Sequence, residues 1–296
     1  MQDASSDSFL VTPEQTLAFA TRGGLRENEM ALSGIAVLTF NRGIVDRLEQ
    51  ICHLEDAEWI SRCHHPYAAA RLAKRGEFDG LDVIVLVPPM GASPLSCMIE
   101  DLVACGVQAV YLACAAWSLG PPVQFGDIIV PSFSLGPDGT SIHYGNDAGE
   151  VRASQRVVDA LTEACRARGA RHYVGGNAVC EALYRISPQM VADFRERGCL
   201  CMENGEASTL FAATQALEVI GGVLFQPYID LQTGWDPARL DEIYRETCHL
   251  QAELVLEASL SLADQGLLSL EAQGSSSLAD QGASSLAGQG LLGGGE

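Results

Sequence analysis

An α/β fold is predicted, with a single domain whose central mixed β-sheet is flanked by helices. Three observations point to it. Short apolar runs of strand length recur, as at Asp82–Val87 and Ala109–Cys114. Longer segments of helical character separate them, which is the alternation of an α/β domain. Hydrophobic residues make up 47% of the 296 positions, enough for a sizeable core.

In chain order, residues 1 to about 30 read as an arm with at most one short helix, Pro13 to Thr21. The domain spans 31–260. A buried strand is expected at Gly34–Phe40, a helix at Arg42–Cys52 and a further strand at 57–63. Asp79-Gly80 is a turn that leads into the strand Asp82–Val87, followed by a helix at Ser93–Cys105. Strands Ala109–Cys114 and Asp127–Ser134 come next, then the helix Ser154–Arg168. A strand near 171–180, with its apolar character running on toward Tyr184, precedes helices Pro188–Arg197 and Ala207–Leu217. Strand Gly222–Tyr228 and a long helix from about Pro237 to Leu260 close the domain.

Residues 261–296 differ in kind. Ser-Leu-Ala-Asp-Gln-Gly and close variants begin at 261, 269, 277 and 285, a period of eight. That period fits no helical face, and each copy carries a glycine, which costs about 1 kcal/mol inside a helix. The segment reads as a disordered, low-complexity tail.

The formal net charge of −20 disfavours phosphate backbones and anionic membranes as partners. Leu102–Leu119 is apolar enough to imitate a membrane span, but Gly106 and Gln108 divide it into a helix end and a strand. Met1–Ser8 has neither the basic start nor the apolar core of a signal peptide, so a cytoplasmic location is expected. The ten cysteines include no Cys-x-x-Cys pair and sit mostly in apolar surroundings, as reduced thiols would. His64 and His65 are adjacent and point in different directions on most backbones, so no metal site is expected.

The segment Cys199–Phe211 carries the most chemistry. Glu203 and Glu206 stand three residues apart, after an apolar run and before a helix start of small residues. Buried carboxylates are costly unless something binds them, and a bidentate acceptor suits a sugar diol. A pair of helix-capping acids is the competing reading.

Several pieces share an order: Pro89-Met90-Gly91-Ala92-Ser93-Pro94, Gly126-Asp127-Ile128-Ile129-Val130-Pro131, and Glu206-Ala207-Ser208 before a helix. Over roughly residues 32–258 this order resembles the nucleoside phosphorylase and nucleosidase superfamily, which includes purine nucleoside phosphorylase, uridine phosphorylase and methylthioadenosine nucleosidase. The resemblance implies cleavage, or reversible formation, of the N-glycosidic bond of a nucleoside or close analogue, through a ribosyl cation-like transition state. It makes Glu206 the ribose-binding glutamate that favours positive charge on the sugar, and Glu203 its companion acid. Gly205 takes the place of a methionine that touches the sugar in the family.

Asp230, in Pro227-Tyr228-Ile229-Asp230, matches the aspartate that protonates a purine leaving group. An aspartate that caps the following turn fits the same residues. Leu183 replaces a stacking phenylalanine beside Tyr184. His143 falls near a sugar-binding segment and would hold a 5′ substituent, or else lies at the surface. The family's phosphate site maps onto Arg42 at a helix start, Met90 and Gly91 in the turn after a strand, and Tyr111 and Cys114 in place of an arginine and a serine. Losing that arginine weakens an anion site built from charge-assisted forks. Hydrolysis therefore stands beside non-standard phosphorolysis. No cofactor is expected, with inorganic phosphate left open as a co-substrate. The partners implied are a nucleoside-like molecule and further copies of the chain. The alternative is a catalytically altered nucleoside-binding protein on the same fold.

Overall fold

The computed structural model describes residues 9–60, 67, 69–234 and 242–270. Thr12 and Gln15 cap α1 (Pro13–Arg22), with Pro13 at its first position. The four-residue α2 (Glu27–Met30) follows. The wing of the sheet is β1 (Ile35–Leu38), α3 (Arg42–Cys52), β2 (Glu55–Asp56), β3 (Leu72–Phe78) and β4 (Leu81–Val87). Then come α4 (Ala92–Ala104), β5 (Ala109–Ser118), β6 (Ile128–Leu135), β7 (Glu150–Arg152), α5 (Gln155–Ala167) and β8 (His172–Val179). The remainder is α6 (Pro188–Glu196), β9 (Cys199–Glu203), α7 (Glu206–Ala216), β10 (Ile220–Asp230) and α8 (Glu242–Asp264). Short 3-10 turns stand at Ser141–Tyr144 and Leu183–Arg185.

The sheet is mixed. Strand β5 pairs in parallel with β1 and with β10, and β1 pairs in parallel with β4. On the other side β10 meets β6, β6 runs parallel to β8, β8 to β9, and β9 returns antiparallel to β5. These five strands therefore close a ring from which β1, β4, β3 and β2 extend as a wing. One apolar cluster, with Ile44, Leu48, Leu161 and Val255, packs α3, α5 and α8 on one face. A second, with Leu95, Met98, Leu210 and Phe211, packs α4 and α7 on the other. Helix α3 shows why: its buried residues Ile44, Val45, Leu48 and Cys52 form a single stripe at helical spacing.

Helix α8 is fixed from several sides. Gln251 Nε2 donates to the Cys114 carbonyl at 2.8 Å and to the Leu224 carbonyl at 2.9 Å. Glu253 accepts from Arg47 Nε of α3 at 2.8 Å and pairs with Arg168 after α5 at 2.7 Å. Two further carboxylates are held by arginine: Asp127, fully buried, by Arg171, and Asp82 by the Arg75 fork at 2.7 and 2.8 Å. Among the described residues no helix is long and apolar enough to cross a membrane.

Several elements depart from expectation. β3 reads Leu-Ala-Lys-Arg-Gly-Glu-Phe and is largely half-buried near the open end of the sheet, so it carries no apolar run. β9 was expected only as an apolar approach to the two glutamates, and it is a strand. Strand β8 stops at Val179, and Leu183–Arg185 forms a 3-10 turn instead of prolonging it. Residues 57–60 are not in a strand, and the rest of that expected strand, like His64, His65 and the expected start of the last helix, lies outside the described residues. The arm carries α1 and α2, and its Ala20, Leu25 and Met30 are buried together.

The boundary expected at 260 falls too early. Helix α8 continues to Asp264, Leu262 and Leu268 are buried in the core, and Ser269 N donates to Gln108 Oε1 at 2.8 Å. The first repeat therefore serves as the end of a packed helix, because its Leu262 falls on the stripe facing the core. Leu268→Ala is expected to cost about 2 kcal/mol, toward the low end for a buried leucine. Chemical denaturation checks this, and an unchanged midpoint contradicts the packing.

Asp101 of α4 is buried, and its Oδ2 has no hydrogen-bond partner. Its Oδ1 accepts from Thr16 of α1 at 3.4 Å. Burial, with a smaller contribution from Glu100, pushes its carboxyl from 3.8 up to about 7 against the Thr16 hydrogen bond. An acid raised on folding takes up a proton as the chain folds. Stability from this group is therefore lost as pH rises from its unfolded value toward about 7. The melting temperature of Asp101→Asn, relative to the parent, is expected to rise between pH 4 and about pH 7 and to level off above it. A constant difference across that range contradicts the burial argument.

Candidate functional site

A cavity of about 950 Å³ opens at the carboxyl ends of the parallel strands. That is where open α/β sheets place ligands, because the loops there diverge and helix starts point inward. Its floor is β5 from Leu112 to Trp117. One wall is the β1–α3 loop, Phe40 to Gly43, facing Met90. Another is the β9–α7 junction with Glu203, Asn204 and Glu206. The first turns of α8 form the third.

Glu206 is the first residue of α7 and only 3% exposed. Gly205 precedes it as the helix N-cap at φ +98°, a left-handed conformation that favours glycine. A Cβ there would also crowd Asp138 and Ala92, at 3.2 and 3.4 Å. This turn curls the Glu206 carboxylate back over its own chain. Its Oε1 accepts from Gly91 N at 3.0 Å and Asn204 Nδ2 at 3.3 Å, and its Oε2 from Asn204 N at 3.2 Å. Glu203 is anchored from behind: Oε1 accepts from Asn177 Nδ2 at 2.7 Å and Oε2 from Glu206 N at 2.7 Å. Asn177 in turn donates to Ser134 Oγ at 3.0 Å. Burial, and then the neighbouring Glu206 carboxylate, push the Glu203 carboxyl well above the ordinary range. Glu203 thus caps α7, and Glu206 faces the cavity on a rigid mount.

Of the other residues singled out by sequence, Arg42, Met90, Cys114 and Leu183 line this cavity. Arg42 is largely exposed, and its Nε donates to Asp46 Oδ1 at 2.6 Å. Burial and the two glutamates push the Cys114 thiol far up, and burial raises that of Cys248 on the facing helix. Both are therefore held as thiols rather than as nucleophilic thiolates.

The remaining residues are placed elsewhere. Gly91 and Gly205 act through the backbone, the first as a donor to Glu206 and the second as the helix cap. Tyr111 does not stand where an anion-binding side chain would. Its ring lies over Gly222 beside Val157, where a Cβ on Gly222 would come within 2.6 Å of it, and burial raises its hydroxyl to about 12. Strand alternation sends Tyr111 toward α5 and α8, while Leu112 and Cys114 belong to the opposite face. Asp230 is absent from the cavity wall. Its Oδ1 accepts from Gln232 N at 2.8 Å and its carbonyl from Thr233, so it caps the turn that follows β10. Tyr184 is 94% exposed, one residue beyond Leu183, and His143 sits exposed on a 3-10 turn.

Other wall residues were not foreseen. The register of β10 against β5 slips between Pro227 and Ile229, and this irregularity contains Tyr228 of the cavity wall. Bulges re-aim side chains in this way. Tyr228 and Tyr244 approach at 6.2 Å between ring centroids, and with Phe40 and Trp117 they give the cavity flat apolar surfaces. Arg245, Cys248 and His249 come from one face of α8. Their spacing of three and four is a helical signal, but without the fold it does not tell which side faces a ligand.

The family model described as "Phosphorylase superfamily" matches residues 35–225, and the chain belongs to that family. Uridine phosphorylase of Escherichia coli (strain K12) is 27% identical over 161 residues, which is 54% of this chain and 61% of the relative. Guanosine phosphorylase of Halorubrum lacusprofundi is 25% identical over 190 residues, 64% of this chain and 76% of the relative. The chain thus spans about three fifths of the length of the uridine phosphorylase it matches. Purine nucleoside phosphorylase from Toxoplasma gondii, solved in complex with immucillin-H, superposes with a TM-score of 0.69 at 16% identity. It covers 81% of this chain and 95% of its own, a likeness of fold.

Proposed function

We propose that this chain cleaves the N-glycosidic bond of a nucleoside in the cavity beside Glu206, with water as the nucleophile. The observation that carries the reading is the buried Glu206 carboxylate, held by Gly91 N and Asn204 at the cavity wall. A fixed negative charge beside the sugar stabilises the positive charge that develops as the bond to the base breaks. It does so without reorganising, because the fold has already set its position. The aromatic surfaces of Trp117, Tyr228 and Tyr244 suit the flat face of a base.

Water is favoured over phosphate by the charge of the wall. Arg42 is engaged by Asp46, and Glu206, Glu242 and Glu246 line the same cavity. A phosphate dianion there meets more negative charge than positive. Phosphorolysis keeps one supporting observation, since Arg245 and His249 of α8 add donors near Arg42 that the sequence reading did not supply. Self-association and a cytoplasmic location belong to the same proposal. A screen of purine and pyrimidine nucleosides for release of free base tests the activity. Release by the parent protein supports it. Binding without release supports the alternative of a nucleoside-binding protein.

A further inference from the structure

We infer that Asp138, which does not line the cavity, is a positioning residue for the proposed cleavage: through Ser208 it holds the first turn of α7, so that Glu206 keeps its place at the cavity wall. The inference rests on the proposed function for what Glu206 does, and on the hydrogen bonds around Asp138 for the rest.

The start of α7 has little to fix it from within. Its N-cap is Gly205, which has no side chain to cap with and a permissive backbone. Glu203 holds one N–H, that of Glu206 itself. Helix ends fray, and a carboxylate on the first residue moves with the end. A misplacement of about 1 Å at a reacting centre costs up to about 100-fold in rate.

Asp138 supplies a hold from outside. It lies in the connection between β6 and β7 and is buried. Its Oδ1 accepts from Thr140 N at 2.9 Å and Ser141 N at 2.6 Å, which fixes the carboxylate on its own loop. Its Oδ2 accepts from Ser141 Oγ at 2.6 Å and from Ser208 Oγ of α7 at 2.7 Å. Ser208 Oγ also lies 3.0 Å from the Gly205 carbonyl. A hydroxyl has one proton to donate, and the carboxylate is the nearer and the charged acceptor. These donors fill the roughly four acceptor positions of a carboxylate. A buried charge is a costly way to fill space; what it provides is a joint with fixed directions. Residues two apart on a helix do not share a face, so Ser208 meets the loop while Glu206 meets the cavity.

The loop is itself anchored. Gly136 N donates to the Gly149 carbonyl at 2.8 Å beside the pairing of β6 with β7. Asn146 Nδ2 donates to Ser141 Oγ at 2.8 Å, and Tyr144 OH to Glu100 Oε1 of α4 at 3.0 Å. Gly91, the N-cap of α4, donates its N–H to Glu206 Oε1. One loop therefore ties together the two helices whose starts carry Glu206 and its donor.

The test is a cycle of kcat for base release in four proteins: the parent, Ser208→Ala, Glu206→Gln and the double variant. Ser208→Ala removes the bond to Asp138 and leaves that carboxylate on its loop. It is expected to lower kcat by roughly 10-fold, about 1.4 kcal/mol of barrier. KM should change by less than about 3-fold, because a displaced charge is felt most in the transition state. In the Glu206→Gln background the same substitution should lower kcat by less than about 2-fold, since the charge being positioned is gone. A merely structural role gives equal falls in both backgrounds. That result, or an unchanged kcat in Ser208→Ala, overturns the inference and leaves the cleavage reading intact. Asp138→Asn approaches the same joint from the loop side, and combined with Ser208→Ala it should lower kcat little further. Additive losses contradict a shared joint. Should Ser208→Ala fail to fold, Ser208→Cys, with a much weaker donor, replaces it. If the parent binds nucleosides without releasing base, cleavage is overturned and the cycle is read on calorimetric affinity. A loss in Ser208→Ala that disappears in the Glu206→Gln background then supports Asp138, and an equal or absent loss overturns it. Absence of nucleoside binding by the parent overturns both.

Discussion

Glu206→Gln is expected to lower turnover by at least about 100-fold, comparable to removing one preorganised electrostatic contact. The substitution keeps the size of the side chain but removes the charge set against the developing sugar cation. It also places an amide nitrogen among the N–H groups of Gly91 and Asn204, where only acceptors are tolerated. Turnover should fall more than the affinity for nucleoside, because the charge matters most in the transition state. The check is kcat and KM for the best nucleoside found in the base-release screen. Turnover near that of the parent contradicts the role given to Glu206.

Phe225→Ala is expected to destabilise the fold by about 3–5 kcal/mol, the cost of emptying a large core site. Phe225 is fully buried in β10, opposite Cys114 in β5 and Ile129 in β6. It therefore stands where one strand joins both sides of the closed ring, and the ring offers no free edge to collapse into the cavity left behind. Urea denaturation of the two proteins reads the loss. A shift under about 1 kcal/mol contradicts close packing at this position.

The fold was legible where apolar runs meet a period. Strands β1, β4, β5, β6 and β10 are buried on both faces, and helix α3 shows its stripe plainly. Strand β3, half-exposed and holding Lys74 and Arg75 for ion pairs with Asp56 and Asp82, carried no such run. The closing of five strands into a ring was not legible, because pairings such as Trp117 with Met202 join residues far apart in sequence.

Within the site, Glu203 and Glu206 could be read because buried acids at a helix start are costly and so stand out. Asp230 stayed ambiguous because an aspartate at a strand end serves equally well as a turn cap, and the bond from Gln232 N shows that it makes the cap. Tyr111 misled because one step along a strand reverses the face, and a local motif does not reveal which face borders a cavity. Arg245 and His249 stayed hidden because they sit on an ordinary amphipathic helix that Gln251 and Glu253 turn toward the site.

Hydrolysis of the N-glycosidic bond is tested most directly by identifying the sugar product, with and without inorganic phosphate. The nucleoside that gives the fastest base release is incubated with the parent protein, and the sugar is resolved from sugar 1-phosphate. Free sugar, formed at a rate that added phosphate leaves unchanged, is the expected result. Sugar 1-phosphate formed only when phosphate is supplied contradicts attack by water, and assigns the arginines at the cavity wall, Arg42 and Arg245, to an anion site.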